Sequence, residues 1–253
     1  MDEHLVFYYL TYAVYGLGAV LLFVMLLMPA PYGRYHLSAL GPTIPNRIGW
    51  VFKECPGFFV FAAVFYLGDY RDSVASVTMA VLWLTHYFNR AFLMPMIFTK
   101  PKGRRMSLVV CAGGFLYNTF IAAMLGRWVS HLGVYTDVWI YQPHFIFGLA
   151  IFLFGMYINV KSDLYLVGLR NKKSKGYSIP HGGLFRNLTS PNYLGELIEW
   201  LGWAILTWSS VGLALAFCVA AQVFPRSLSH RTWYRRKFTD YPTERKAIIP
   251  RVL

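Results

Sequence analysis

The sequence predicts an all-α protein that crosses a membrane seven times, with its N-terminus outside and its C-terminus in the cytoplasm. Three observations lead there. Of the 253 residues, 57% are hydrophobic and only 14% charged, against roughly 45–50% and about 25% in soluble proteins. Apolar stretches long enough to cross hydrocarbon, which takes about 17–25 helical residues, recur along the chain. The basic residues behind a net charge of +13 fall almost wholly in the short gaps between those stretches, the pattern that orients polytopic proteins. Aromatic residues reach 18%, as suits lipid interfaces and apolar pockets. Disorder, collagen and disulfide scaffolds are excluded by composition.

The spans are predicted near 5–28, 49–67, 74–98, 106–126 and 144–166. The first follows Asp2 and Glu3 and is too long for a signal-peptide core, so it counts as a span. Tyr193–Phe224 is 32 residues of mainly apolar chain, too long for one crossing unless strongly tilted. Trp208-Ser209-Ser210-Val211-Gly212 offers a turn that splits it into two helices. Charge decides between six spans and seven. Gaps 29–53, 99–105 and 161–190, together with the tail from Arg226, hold 21 of the 24 basic residues. The opposite side holds Asp2, Glu3, Asp69, Asp72 and Asp137 against Arg71 and Arg127. Only seven spans put the basic tail on the basic side. Residues 1–253 read as one membrane domain, without repeats or a GxxxG association motif.

The excess positive charge has no nucleic-acid motif beside it, so nucleic acid is not expected as a partner. Cys55, Cys111 and Cys218 form no CxxC pair and read as small core residues. The sequon at Asn187 lies on the predicted cytoplasmic side and should be unmodified. No HExxH, GxSxG or His-rich cluster occurs, and no GxGxxG or GxxxxGKS. Metal and serine-hydrolase chemistry are therefore not expected, nor a nucleotide held by a Rossmann fold or P-loop.

Charged residues at bilayer depth are costly, about 2.5–3.5 kcal/mol each, and so are functional candidates. The chain offers Glu54, Arg90, Asp163, Glu196 and Glu199, with His86, Tyr87, Asn89, Asn159 and Asn192 nearby. Helix–helix hydrogen bonding and snorkelling would account for any one of them alone. Their spacing adds weight. Asn192, Glu196 and Glu199 share one helix face, as do Asn159, Asp163 and Arg170. His230, Tyr234, Lys237 and Tyr241 form a third stripe among basic neighbours. Three such faces could enclose a large anion, although charge alone favours, for the tail, an amphipathic helix lying on anionic lipid. The loop Gly176–Phe185 pairs Gly182 with Gly183, letting backbone N–H groups approach an anion closely, or simply making a turn.

Together these tracts resemble the steroid 5α-reductase family. The likeness is carried by Phe52-Lys53-Glu54-Cys55-Pro56, His86-Tyr87-Phe88-Asn89-Arg90, and Gly155-Met156-Tyr157-Ile158-Asn159 through Ser162-Asp163. It continues in Ile179-Pro180-His181-Gly182-Gly183-Leu184-Phe185, Asn192-Tyr193-Leu194-Gly195-Glu196 through Glu199-Trp200, and Phe238-Thr239-Asp240-Tyr241-Pro242 through Arg245-Lys246-Ala247. It spans nearly the whole chain, favours the type 2 branch and suggests a bacterial homologue.

The resemblance implies an NADPH-dependent reductase of 3-oxo-Δ4 steroids, delivering hydride to C5 and a proton to C4. The family's catalytic Glu and Tyr map to Glu54 and Tyr87, with His86 and Arg90 in support. Its cofactor residues map to Tyr32, Arg34, Arg104, Asn159, Asp163, Arg170, Tyr177, Asn192, Glu196, Trp200, His230 and Tyr234. Residues from about 5 to 126 would take the steroid, arriving from the bilayer, and residues from about 144 to 253 mainly the cofactor. A monomer in contact with membrane lipid is implied, its cofactor site facing the cytoplasm. The membrane would be the inner membrane in a bacterium and the endoplasmic reticulum in a eukaryote. Ser178 stands where human-type sequences carry Arg, and Asn89 where they carry His. Alternatives are an enoyl-CoA or other lipid enone reductase, an isoprenylcysteine-type methyltransferase, which would leave Glu54 and Tyr87 unexplained, and a transporter, for which the inverted repeat is missing.

Overall fold

Where the chain is apolar it is helical. The computed structural model describes residues 2–31, 33–35, 40–98, 105–172 and 177–252. Its helices are α1 (Glu3–Leu27), α2 (Asn46–Tyr66), α3 (Val74–Phe88), α4 (Met94–Phe98), α5 (Leu108–Arg127), α6 (Pro143–Lys172), α7 (Pro191–Thr207) and α8 (Ser210–Lys237). Five are long and apolar enough to cross a membrane: α1, α2, α5, α6 and α8. Much of their apolar surface is exposed, including Phe23 and Leu27 on α1, Phe59 on α2 and Phe147 on α6, as a lipid-facing wall requires. This is a membrane protein.

The third predicted segment is one unbroken helical run that changes type on the way. α3 passes into a π turn at Asn89–Leu93 and then into α4. Pro95 has no N–H for the carbonyl of Ala91, and the helix widens just ahead of that defect. α2 meets the same problem at Pro56 and solves it differently. The Cys55 thiol donates to the carbonyl of Phe52, at 3.4 Å, the group that a fourth-residue N–H would otherwise have reached.

The predicted turn in the sixth segment is present. Trp208 ends α7 in the left-handed region, at φ 45°, and the Ser209 hydroxyl caps α8 by accepting from Gly212 N at 3.0 Å. α8 differs from expectation in length. It runs 28 residues, through Pro225, to Lys237. The basic stripe of the tail is thus the end of α8, although Tyr241 lies beyond it.

Two compact units divide the chain, one of Met1–Leu10 with Ala30–Ile146 and one of Thr11–Pro29 with Phe147–Leu253. In the first, α2 is central, packing along α5 and against α3. Trp83 is fully buried between the Phe61 and Tyr87 rings and donates Nε1–H to Gly57 O at 2.7 Å. At one end of this unit, Arg127 donates twice to Glu3, at 2.7 and 3.0 Å, and His131 lies 3.0 Å from Asp69. Near the other end is an antiparallel ribbon unforeseen in the sequence, β1 (Thr43–Pro45) with β2 (Arg105–Ser107), pairing Ile44 with Met106. Three-residue strands are too short to print an alternating pattern.

The second unit is organised by α6 and α7. A Cβ on Gly155 would collide with the Glu199 backbone, one on Gly195 with Asn159, one on Gly148 with Leu206, and one on Gly202 with Phe152. Two glycines on each helix, seven residues apart, therefore let the backbones touch. This is the small-residue packing of membrane helices at a spacing that a GxxxG search passes over. Cys218, on α8, donates its thiol to Val14 O at 3.2 Å. All three cysteines are free, with Cys111 and Cys218 buried and Cys55 half-buried.

Candidate functional site

The first site lies inside the first unit, where α2, α3 and α5 meet. Glu54 on α2 and Tyr87 at the end of α3 are both buried, at 7% and 6% exposure. Tyr87 reaches α2 because Gly57 has no side chain; a Cβ there would overlap the phenol ring. Trp83 stacks on the other side, its centroid 4.8 Å away, so the ring is held flat between two fixed surfaces. The Tyr87 hydroxyl donates to Asn118 Oδ1 at 3.0 Å. Asn118 Nδ2 in turn donates to Lys53 O at 2.8 Å and Gly114 O at 3.0 Å, and faces Glu54 Oε2 at 3.4 Å. The other Glu54 oxygen is paired with the Lys53 ammonium.

The hydrogen-bonded route between the two catalytic candidates therefore passes through a third residue. Asn118, on α5, escaped the sequence analysis because one amide in an apolar run carries no spacing signal. Lys53, given no role in the sequence, lies on α2 beside Glu54 with its ammonium 4.0 Å above the Trp50 ring. Of the supporting residues, His86 is buried edge-on to Tyr87 with ring centroids 5.2 Å apart. Arg90 sits in the π turn, 5.6 Å from the same Trp50 ring. The π turn matters here, because its extra residue sets the direction in which Arg90 leaves the helix. Apolar rings border the cluster: Phe52 stacks on Phe115, and Phe58 packs edge-on to Phe92.

The second site lies in the second unit. Where glycine brings α6 and α7 together, Asn159 Nδ2 donates to Asn192 O at 2.9 Å and Asn192 Nδ2 donates to Asp163 Oδ1 at 3.0 Å. The two stripes read from spacing thus become one polar cluster, with Glu196 and Glu199 also buried on α7. Trp200 lies deeper, 2% exposed and edge-on to Phe152. Arg170 stands near the end of α6.

A cap of aromatic rings adjoins the end of α8. Tyr234 stacks on Tyr241, centroids 5.4 Å apart, and on Phe238, while Tyr177 meets Trp233 edge-on at 5.0 Å. His230 lies over Tyr193. Tyr241 reaches Tyr234 although α8 ends at Lys237, because the chain turns at an extended Phe238. The tail then hydrogen-bonds alongside Asn187–Ser190, and the Thr189 hydroxyl meets that of Tyr241 at 2.7 Å. This end of the helix packs its aromatic side against its own unit and leaves Arg235, Arg236 and Lys237 exposed.

Of the two readings of the glycine pair, the structure shows the turn: Gly183, at φ 57°, opens a 3-10 turn over Gly183–Arg186. His181 N and Gly182 N donate to the Tyr165 hydroxyl, at 3.3 and 2.8 Å, so these two groups are spent on α6. The close approach that Gly182 allows is to the Tyr165 ring. Of the loop residues expected at the cofactor, Arg34 occupies a short 3-10 turn, Gly33–Tyr35. Tyr32 and Arg104 lie outside the described residues. Among the described residues no His, Cys, Asp and Glu group could hold a metal ion.

Known proteins match this chain along its length. A family model described as 3-oxo-5-alpha-steroid 4-dehydrogenase matches residues 104–253. The chain is 36% identical to the steroid 5-alpha-reductase DET2 of Gossypium hirsutum, over 98% of each chain. It is 39% identical to that of Solanum lycopersicum over 87% of each, and 34% identical to the 3-oxo-5-alpha-steroid 4-dehydrogenase 1 of Bos taurus over 95% of each. Identity at this level across nearly complete chains shows that this protein belongs to the steroid 5α-reductase family of oxidoreductases.

Proposed function

We propose that the protein reduces the Δ4 double bond of 3-oxo-Δ4 steroids with NADPH, giving 5α-reduced 3-oxo steroids. The observation that carries this reading is the buried phenol of Tyr87, hydrogen-bonded through Asn118 to Glu54. In such an enone C5 is the electron-poor carbon. Addition of hydride there drives negative charge onto the C3 oxygen, and a donor fixed beside that oxygen stabilises the transition state. Tyr87 supplies the donor; Glu54 and Lys53 anchor the network behind it. Protonation at C4 completes the addition, so the steroid gains two hydrogens.

NADPH, when bound, supplies the hydride. The residues present suit it. Asn159, Asp163 and Asn192 form a hydrogen-bonded set able to orient ribose hydroxyls or the carboxamide. Near them Ser190 Oγ is a buried hydroxyl lacking a hydrogen-bond partner among the described residues, the sort of group a ligand satisfies. Glu196, Trp200, Tyr177, His230 and Tyr234 complete the proposed cofactor set, and Arg170 would pair with its phosphates; the same role for Tyr32, Arg34 and Arg104 rests on the family resemblance alone.

The proposed topology has seven crossings. To the five long helices it adds the 74–98 run and α7, whose 17 residues span about 25 Å. The Lys and Arg residues at the end of α8 support a cytoplasmic position for that end, and the proposed cofactor site is assigned to the same side. The exposed Phe59 and Phe88 support entry of the steroid from lipid. The protein would act as a monomer.

The test is to give detergent-purified protein a 3-oxo-Δ4 steroid such as testosterone with NADPH. The expected result is a product two hydrogens heavier and an equal loss of NADPH absorbance. NADPH binding without turnover of any 3-oxo-Δ4 steroid would move the substrate to another enone, an enoyl thioester first.

A further inference from the structure

We infer that Asn118 is a positioning residue for this reaction, one that holds the Tyr87 hydroxyl in a ground-state hydrogen bond which the substrate oxygen takes over as charge develops. The inference rests on the reading of Glu54 and Tyr87 as the enone-polarising pair.

An amide in the middle of a membrane-crossing helix is costly to bury without partners. Asn118 is 5% exposed and is fully used. Its Nδ2 faces three acceptors, Lys53 O, Gly114 O and Glu54 Oε2, and its Oδ1 accepts from Tyr87. Rotating the amide by half a turn would set its oxygen against those three acceptors and its nitrogen against the phenol. The surroundings therefore permit one orientation. That orientation fixes where the phenol proton lies: on the line to Asn118 Oδ1.

The consequence is a difference in binding between ground state and transition state. A neutral ketone oxygen competes on level terms with a neutral amide oxygen for the Tyr87 proton, so a bound steroid gains little. An oxygen acquiring negative charge is the stronger acceptor, because charge-assisted hydrogen bonds are roughly twice as strong as neutral ones. The bond that Asn118 gives up is then made to the C3 oxygen late, as hydride reaches C5. Interactions that strengthen only in the transition state raise kcat and leave KM alone. Asn118 also keeps the hydroxyl in place between turnovers, acting through Tyr87 and without touching the steroid.

The test is a double-mutant cycle on full-length purified protein, with a melting temperature for every variant. Asn118→Leu should lower kcat about 10–100-fold, the scale expected when a catalytic group is misplaced by an ångström or so. Steroid KM and NADPH Kd should stay within about twofold, since uniform binding is not what is lost. On a Tyr87→Phe background, Asn118→Leu should cause no further loss, because the group through which it acts is gone. Asn118→Ala removes the same acceptor with less bulk and should lose turnover as Asn118→Leu does; if the leucine variant does not fold, the cycle is run with the alanine variant. A leucine variant with wild-type kcat, or losses that multiply in the double variant, would overturn the inference while leaving the site reading intact. A Tyr87→Phe enzyme as fast as wild type would overturn the site reading and this inference with it.

Discussion

The two units bury their polar groups by different means. In the first, a chain of side chains, Lys53–Glu54–Asn118–Tyr87, crosses three helices, with the Trp83 indole bonded to Gly57 O beside it. In the second, the polar cluster depends on the backbones. α6 and α7 touch along a glycine seam, and Asn159 and Asn192 hydrogen-bond at one end of it. A network of side chains can lose one member and leave the helices where they were. A network built on a backbone contact cannot. Substitutions in the first unit should therefore harm chemistry with little harm to folding, and those on the α6–α7 seam should harm both.

Tyr87→Phe gives the sharpest break. Removing the donor should lower kcat about 10²–10³-fold, as loss of one oxyanion donor does elsewhere. NADPH affinity and melting temperature should barely change, and a large drop in either would erase the contrast between the units. Gly195→Val attacks the other side. Its side chain would meet the Asn159 backbone directly, and overpacking of this kind costs about 1–3 kcal/mol. A lowered melting temperature together with weaker NADPH binding is expected. A variant stable as wild type would mean that the seam has more room than its geometry allows.

Smaller effects sharpen the picture. Asn192→Ala removes the donor to Asp163 but leaves the backbone carbonyl that Asn159 uses. It should weaken NADPH binding about 3–10-fold, the worth of one hydrogen bond of about 0.5–1.5 kcal/mol. Titration of NADPH by isothermal calorimetry would show this, and unchanged affinity would count against the cofactor assignment. Least of all, Ser178→Arg should raise the preference for NADPH over NADH by no more than about fivefold, since an exposed ion pair contributes under about 1 kcal/mol. A preference that does not move would separate residue 178 from the 2′-phosphate.

Sequence patterning revealed what depends on length and spacing. The apolar runs, the break at Trp208 and the Asn159–Asp163 and Asn192–Glu196 faces were all legible, because a helix converts regular spacing into a shared side. Three features were not. Asn118 is a lone polar residue whose importance arises from Lys53 and Glu54, more than sixty positions away in the chain. The glycine seam has a seven-residue spacing on two different helices, and neither half means anything without the other. The length of α8 was hidden by Pro225 and by the loss of hydrophobicity after Phe224, both of which read as a helix end. In the folded chain the aromatic cap around Tyr234 holds those last turns in place.

The most direct test of the central claim is where the hydride goes. Purified protein would be given testosterone and NADPH carrying deuterium at both nicotinamide C4 positions, and the label in the steroid product located by mass and by NMR. The account predicts one deuterium per product molecule, on C5 in the α configuration, with the C3 ketone intact. Deuterium on C3 with conversion to an alcohol, or a reduced steroid without deuterium, would contradict it.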